Sequence, residues 1–133
     1  MTTSCYKDSV ILVAGGAGFV GTNLVHSLLQ EEPRRIVIVD NLLSADAAIV
    51  PRDERVTFTF GSIADDRILQ NLPSDIGFVF HLVCYHGNQS SIVDPLADHA
   101  NNTLPSLKLF ETLKDFPRLN KVVYAGAGCA VAE

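Results

Sequence analysis

One stretch limits the folds open to this chain more than any other. Residues 10–21 read Val10-Ile11-Leu12-Val13-Ala14-Gly15-Gly16-Ala17-Gly18-Phe19-Val20-Gly21, an apolar run that stops at glycines and passes into an amphipathic segment. Val10 to Val13 carry no polar side chain and are mostly β-branched, the pattern of a strand covered on both faces in a parallel sheet. From Phe19 on, Val20, Leu24, Val25, Leu28 and Leu29 recur at helical spacing. Gly15-x-x-Gly18-x-x-Gly21 is therefore a strand-to-helix turn. Gly15 suits a tight backbone conformation, Gly18 a close approach of the main chain to a phosphate, and Gly21 close packing of helix on sheet. The opening turn of such a helix offers free N–H groups and the positive end of the dipole, so an anion is expected there.

A glycine turn also occurs as a turn and nothing more, and the second apolar run supplies the context that decides. Ile36-Val37-Ile38-Val39 ends in Asp40, nineteen positions after Gly21, where the dinucleotide fold places an acid against the adenosine ribose hydroxyls. A carboxylate there accepts hydrogen bonds from a ribose diol and repels a 2′-phosphate, which favours NAD over NADP. Arg34 and Arg35 precede this strand and read as solvated charges rather than phosphate ligands.

The 133 residues have the size of one domain, 1–133, with enough chain to bury a real core. A net charge of −5 without a lysine or arginine cluster argues against nucleic acid and anionic membrane surfaces as partners. The apolar runs fall short of a membrane span. Residues 1–9 lack the apolar core of a signal peptide, so a cytoplasmic location is expected. Cys5, Cys84 and Cys129 have no metal-ligand spacing; reduced thiols and no metal are the reading.

Along the chain, the pattern predicts a helix over 18–30 ended by Pro33, with His26 at the surface, and a strand over 36–40. Residues 41–55 show no period and read as a loop with one helical turn. A strand over 56–60 alternates apolar and hydroxyl side chains. Gly61-Ser62-Ile63 then leads into a short helix over 65–72, for which Ser62 and Asp65 match a capping box. A fourth strand over 76–83 holds His81 as a hydrogen-bonded core residue. The next helix has Asp94-Pro95 as cap and first position and an apolar stripe of Leu96, Ala100, Leu104, Leu107, Phe110 and Leu113, with a kink near Asn101 to Pro105, or two helices in sequence, expected from the interior Pro105. A fifth strand covers 121–124. Strands alternating with helices define an α/β fold, a Rossmann-type doubly wound parallel sheet with helices on both faces.

In these residues the chain resembles the extended short-chain dehydrogenases and, among them, the NAD-dependent nucleotide-sugar epimerases and dehydratases such as UDP-glucose 4-epimerase. Gly15-Gly16-Ala17-Gly18-Phe19-Val20-Gly21 is similar to their opening fingerprint and Val39-Asp40-Asn41-Leu42 to their ribose-binding strand end. Gly61-Ser62-Ile63 falls where they read Gly-Asp-Ile, Phe80-His81-Leu82-Val83-Cys84 where they read His-Leu-Ala-Ala, and Asn101-Asn102-Thr103-Leu104 on their fourth helix. The resemblance runs from about residue 10 to 131.

The resemblance implies NAD as cofactor. It implies that Phe19 and Val20 give backbone N–H groups to the pyrophosphate and that Asp40, with Asn41 and Leu42 beside it, binds the ribose. Ile63 would meet the adenine through its backbone next to Ser62, where serine replaces the family's aspartate. Leu82, Val83 and Cys84 would line the cofactor trough, His86 would touch phosphate or ribose, and Asn102 would lie toward the nicotinamide unless it only packs the helix. Tyr124 and Ala125 would pass beside the nicotinamide ribose.

It further implies a nucleotide-sugar substrate, a homodimer when full length, and transient hydride transfer from a sugar carbon. The family's catalytic pair, Tyr-x-x-x-Lys, occurs nowhere in this sequence. No catalytic residue is therefore assigned, and these residues alone are expected to bind the dinucleotide without turning over sugar, the catalytic segment and the substrate domain lying outside them. The serine or threonine that usually follows the fifth strand is replaced by Ala127 between Gly126 and Gly128, with Cys129 nearby. That departure keeps open a non-catalytic, redox-sensing NAD module of the same fold.

Overall fold

The computed structural model describes residues 4–85 and 88–126. Its strands are β1 (Val10–Ala14), β2 (Arg35–Asp40), β3 (Val56–Phe60), β4 (Ile76–His81) and β5 (Lys121–Tyr124). The helices are α1 (Phe19–Leu29), α2 (Asp66–Gln70), α3 (Asn88–Val93), α4 (Pro95–Asp98) and α5 (Leu104–Leu113). The strands form one sheet in the order β3-β2-β1-β4-β5, every pair parallel. From β1 the chain moves outward through β2 to β3, then returns to the other side of β1 for β4 and β5. The reversal between β1 and β4 is the topological switch point of a doubly wound sheet, where such folds open a crevice at the carboxyl ends of the strands.

Side chains alternate between the two sheet faces. Ile11, Val13, Ile36, Ile38, Phe78 and Phe80 pack against Val25, Leu28 and Leu29 of α1. Leu12, Ala14, Val37, Val39 and Val79 pack against Leu69 of α2 and Leu109 and Leu113 of α5. Both faces are covered over the inner strands β1, β2 and β4, which are largely apolar, while the edge strand β3 keeps its alternation of apolar and hydroxyl side chains.

Four local expectations change. The fourth strand ends at His81 and not at Val83: once β1 turns away at Gly15, the Leu82 N–H bond to the Ala14 carbonyl (2.8 Å) is the last link between the two strands. Ser62 and Asp65 do not form a capping box. Ser62 Oγ accepts from the Ala64 N–H at 3.0 Å, and α2 starts later, capped by the Asp65 carboxylate on the Arg67 N–H at 2.9 Å. Thirdly, Asn88–Val93 adds a helix ahead of the Asp94-Pro95 cap, which does form, Asp94 accepting from the Ala97 N–H at 3.0 Å.

The fourth change concerns the apolar stripe; the interruption expected near Asn101 to Pro105 is itself present, with two helices in sequence. Having no N–H, Pro105 cannot extend the α ladder, and a π-helical turn over His99–Thr103 joins α4 to α5. The wider turn shifts the helical phase of α5 relative to α4, so the expected stripe splits. Pro105, Ser106, Leu109 and Leu113 are buried, while Leu96, Leu104 and Leu107 face outward.

His81 is a core residue, only 2% exposed, in a three-ring cluster with Phe110 and Tyr124. Its Nε2 lies 2.9 Å from Ser106 Oγ, and the serine hydroxyl donates to the Asn102 carbonyl at 2.7 Å. Nε2 therefore carries the proton, leaving Nδ1 buried with no hydrogen-bond partner among the described residues. Burial holds the imidazole below its ordinary pKa. The unfolded chain then binds a proton that the folded one refuses, so His81 costs no stability well above pH ~6.5 and costs progressively more as pH falls below it. The urea midpoint is expected to drop between pH 7.5 and pH 5, with a smaller drop in His81→Gln; an equal drop in both proteins would place the titrating group elsewhere.

Candidate functional site

The carboxyl ends of β1 to β4 open onto a cleft lined by Gly15, Gly18, Val39, Asp40, Asn41, Leu43, Ser44, Ala45, Gly61, Ser62, Ile63, Leu82, Val83, Cys84, Tyr85 and Asn101. It lies at the switch point, and α1 begins at its edge. Gly15 holds φ at +80°, and a Cβ there would also stand 2.9 Å from the Leu82 carbonyl carbon. At Gly21 a Cβ would meet the Gly15 carbonyl oxygen at 2.4 Å and Gly16 Cα at 2.6 Å, so only glycine lets α1 sit this close to the turn. Gly18 is different. Its φ is −72°, and a Cβ would find only the Gly15 oxygen at an ordinary 3.6 Å. The protein makes no demand for glycine at 18; what its missing side chain leaves clear is the cleft.

The first turn of α1 has neither a side-chain cap nor an acidic residue. The amides of Phe19, Val20 and Gly21 thus lack the usual intrahelical acceptors and side-chain substitutes. The Phe19 side chain points to solvent, 85% exposed, so the backbone and not the ring is what this residue brings to the cleft. Across the cleft, Asp40 Oδ2 accepts from the Ala17 N–H at 3.0 Å and Oδ1 from the Leu42 N–H at 2.8 Å. A carboxylate has about four lone-pair sites, so two remain for a ligand.

Of the residues expected from the sequence, Gly15, Gly18, Asp40, Asn41, Ser62, Ile63, Leu82, Val83 and Cys84 come together on the cleft wall. Phe19, Val20 and Gly21 stand at the α1 N-terminus. Leu42 instead takes a left-handed conformation (φ 57°) and turns the chain so that Leu43, Ser44 and Ala45 line the wall. Asn102 spends its amide on structure. Its Oδ1 accepts from the Tyr85 N–H at 2.7 Å, and its Nδ2 donates to the Tyr85 carbonyl at 2.9 Å and to Asp98 Oδ1 at 2.7 Å. Tyr124 ends β5 and Ala125 follows it; neither is on the wall, and Tyr124 packs on His81 and Phe110. His86, Ala127 and Cys129 lie outside the described residues. Sequence reasoning missed Val39, Leu43, Ser44, Ala45, Gly61, Tyr85 and Asn101. For Asn101 the signal in the sequence was its place beside Asn102 in the Asn101-Asn102-Thr103-Leu104 segment; the π turn that sets it on the wall shows only in the structure.

Arg34 and Arg35 are where the sequence suggested, away from the cleft, Arg34 paired with Asp75 and Arg35 Nε 3.2 Å from Thr57 Oγ1. Among the described residues no helix is long and apolar enough to cross a membrane.

A doubly wound sheet with an amide-rimmed, acid-flanked crevice at its switch point is the architecture of the Rossmann-type nucleotide-binding proteins. The family model described as the NAD dependent epimerase/dehydratase family matches residues 11–133, and this chain belongs to that family. Among solved structures it is similar to the Bordetella bronchiseptica enzyme WbmF in complex with NAD+, with 54% identity and a TM-score of 0.88 over 94% of this chain and 38% of that one. An epimerase from Methanothermobacter thermautotrophicus shares 34% identity at a TM-score of 0.87, over 96% of this chain and 38% of that one. UDP-glucose 4-epimerase of Streptococcus mutans is 31% identical over 109 residues, 80% of this chain and 32% of the relative. The chain thus spans about a third of the length of the relatives it matches.

The glycine geometry separates fold from binding. Gly21→Ala is expected to lower unfolding free energy by about 1–3 kcal/mol through overpacking, whereas Gly18→Ala should stay within about 1 kcal/mol of the parent and yet weaken NAD at least tenfold. Urea unfolding and titration calorimetry on the two variants check this; a Gly18→Ala protein that binds normally would remove Gly18 from the site.

Proposed function

We propose that this chain binds NAD in extended form across the carboxyl edge of its sheet. The observation that carries the reading is the convergence, on one crevice, of an uncapped helix N-terminus and a carboxylate with lone pairs to spare. The amides of Phe19 and Val20 hold the pyrophosphate, with Gly15, Gly18 and Gly21 shaping the turn that carries them. Asp40 takes the adenosine ribose diol beside Asn41 and Leu42, and Ile63 presents its backbone to the adenine next to Ser62. Leu82, Val83 and Cys84 form the trough that leads to the nicotinamide, with Tyr124 and Ala125 beside its ribose. Asn102 serves by fixing the Tyr85 peptide, and His86 is assigned a phosphate or ribose contact from the resemblance alone.

In the complete protein we infer a nucleotide-sugar epimerase or dehydratase. NAD, when bound, supplies a hydride acceptor for a sugar carbon and returns the hydride after inversion or loss of water. A UDP-sugar is the substrate class that the relatives support, since their names include UDP-glucose 4-epimerase and WbmF has also been solved with NAD+ and UDP. Ile92, Val93, Leu96, Leu104 and Leu107 of α3 to α5 are exposed apolar side chains that later helices and a second subunit would cover, in keeping with a homodimer. The location proposed is the cytoplasm. A non-catalytic NAD-binding module is the second reading, favoured by the lack of any hydroxyl from Ala125 to Ala130.

Calorimetry is expected to show NAD binding more than tenfold tighter than NADP. In Asp40→Ala the preference should narrow, with a stability loss of about 1–3 kcal/mol from the two N–H groups it releases; equal affinities in the parent would remove Asp40 from the role. For the complete polypeptide, incubation with NAD and UDP-glucose should yield an isomerised or dehydrated nucleotide sugar by NMR without lasting absorbance at the NADH band. NADH accumulating in proportion to substrate would point to a net dehydrogenase, and no product to the module.

A further inference from the structure

We propose that Lys108 of α5 is a positioning residue for the cofactor cleft: its ammonium sets the turn after β3 whose residues close one end of the wall. This rests on the NAD reading above, in which that end receives the adenine half of the dinucleotide. Gly61, Ser62 and Ile63 line the cleft there. The turn starts with Gly61 at φ 152°, a conformation that glycine reaches freely without preferring it to others, so the shape of the turn depends on what ties it down. The Gly61 N–H donates to the Asp40 carbonyl at 3.0 Å, and the Ile63 side chain is sunk in the core. Ser62 is tied through its hydroxyl, which accepts from the Ala64 N–H at 3.0 Å. That last tie is only as firm as Ala64.

Ala64 is half-buried and has only a methyl group to anchor it. Its carbonyl accepts from Lys108 Nζ at 2.7 Å, a bond that reaches across 44 residues of sequence. The residue is thus held on both sides, its N–H by the serine and its carbonyl by the lysine. Lys108 is itself a fixed point, because the adjoining Leu109 is fully buried and seats this part of α5 on the sheet. The ammonium also meets Asp66 Oδ1 at 2.7 Å, but that carboxylate is 67% exposed, and an ion pair so placed contributes little. The lysine side chain is only 31% exposed, and a charge-assisted bond to a carbonyl is stronger than a neutral one. Lys108 does not line the cleft; it acts through Ala64. A wall held in this way before the ligand arrives leaves less to be ordered on binding.

The test is calorimetric titration of the purified protein and its variants with NAD and with ADP, which reaches the base end of the cleft and stops short of the Tyr85 side. Lys108→Met keeps the apolar stem and removes the donor; it is expected to raise both dissociation constants by the same factor, about fivefold. Unchanged constants in the folded variant overturn the proposal and leave Lys108 a stabilising residue only. A clearly larger loss for NAD than for ADP overturns it as well, since the whole cleft has then loosened. Should Lys108→Met not fold, Lys108→Gln is judged by the same comparison. Lys108→Arg, which can still donate to the Ala64 carbonyl, should restore parent-like binding, and Asp66→Asn, which removes only the ion pair, should leave both constants within about twofold of the parent. Failure of either expectation counts against the carbonyl bond as the link. If neither NAD nor ADP binds the parent, the cofactor reading itself falls, a distinct result from binding that is indifferent to Lys108.

Discussion

The structure depends on how closely α1 is seated on the turn that follows β1. That seating is a backbone-to-backbone contact, Gly21 against the Gly15 carbonyl and Gly16 Cα, and no side chain larger than hydrogen fits between them. It fixes the axis of the helix relative to β1, and with it the direction in which the uncapped amides point. A second tie comes from β2. Asp40 takes the Ala17 N–H with one carboxylate oxygen and the Leu42 N–H with the other, so the turns after β1 and β2 are joined through one side chain. The acid proposed to face the ribose is thus also part of what holds the cleft open. A donor-acceptor set fixed in this way costs little to organise when a ligand arrives, since the groups that would otherwise have to be ordered are already held.

The strands were legible because both sheet faces are buried. Where neither face meets water, the sequence is continuously apolar, and Gly15 and Asp40 mark the ends of β1 and β2; the apolar run of β4 continues past its last paired residue, so the sequence pattern puts its end two residues late. In the glycine turn, Gly15 holds the positive φ and Gly21 the close helix packing expected of them. The helical face around Pro105 was not legible, because the amphipathic pattern assumes one constant period and the π turn changes it within the helix. Leu96 and Leu104 carry the right residue type for the core and point away from it. The wall made by Leu43, Ser44 and Ala45 was hidden for another reason: it follows from a left-handed leucine, and no residue-type rule anticipates one there. Ser62 fits two local patterns at once, a helix-capping box and a one-peptide turn, and only the position of Asp65 on Arg67 separates them.

The π turn is also what connects the helical layer to the cleft. Asn101 lies on the cleft wall and Asn102, its neighbour, closes a two-bond ring with the Tyr85 peptide. The Asn102 carbonyl receives the Ser106 hydroxyl, and Ser106 holds His81 at the end of β4. A continuous chain of hydrogen bonds therefore runs from the core through α5 to the loop proposed to flank the nicotinamide. Each member is buried or partly buried, and in such surroundings a missing partner costs more than a formed bond contributes. The unpartnered Nδ1 of His81 is the exception among the described residues, and it is tolerated because the imidazole stays neutral, as the lowered pKa implies.

No lysine or arginine lines the cleft among the described residues, and the chain as a whole carries −5. What these residues offer a pyrophosphate is fixed dipoles. A helix N-terminus is equivalent to about half a positive charge, and its amides donate directly. These donors cannot swing away or be neutralised by a neighbouring acid, as a lysine here could be by Asp40. An ammonium reaching the cleft would have paired with that carboxylate and occupied the lone pairs a ribose diol needs. Among the described residues the cation-free wall and the acid therefore fit together: backbone dipoles would attract phosphates without competing for Asp40, and the same carboxylate would disfavour a further phosphate on the proposed ribose.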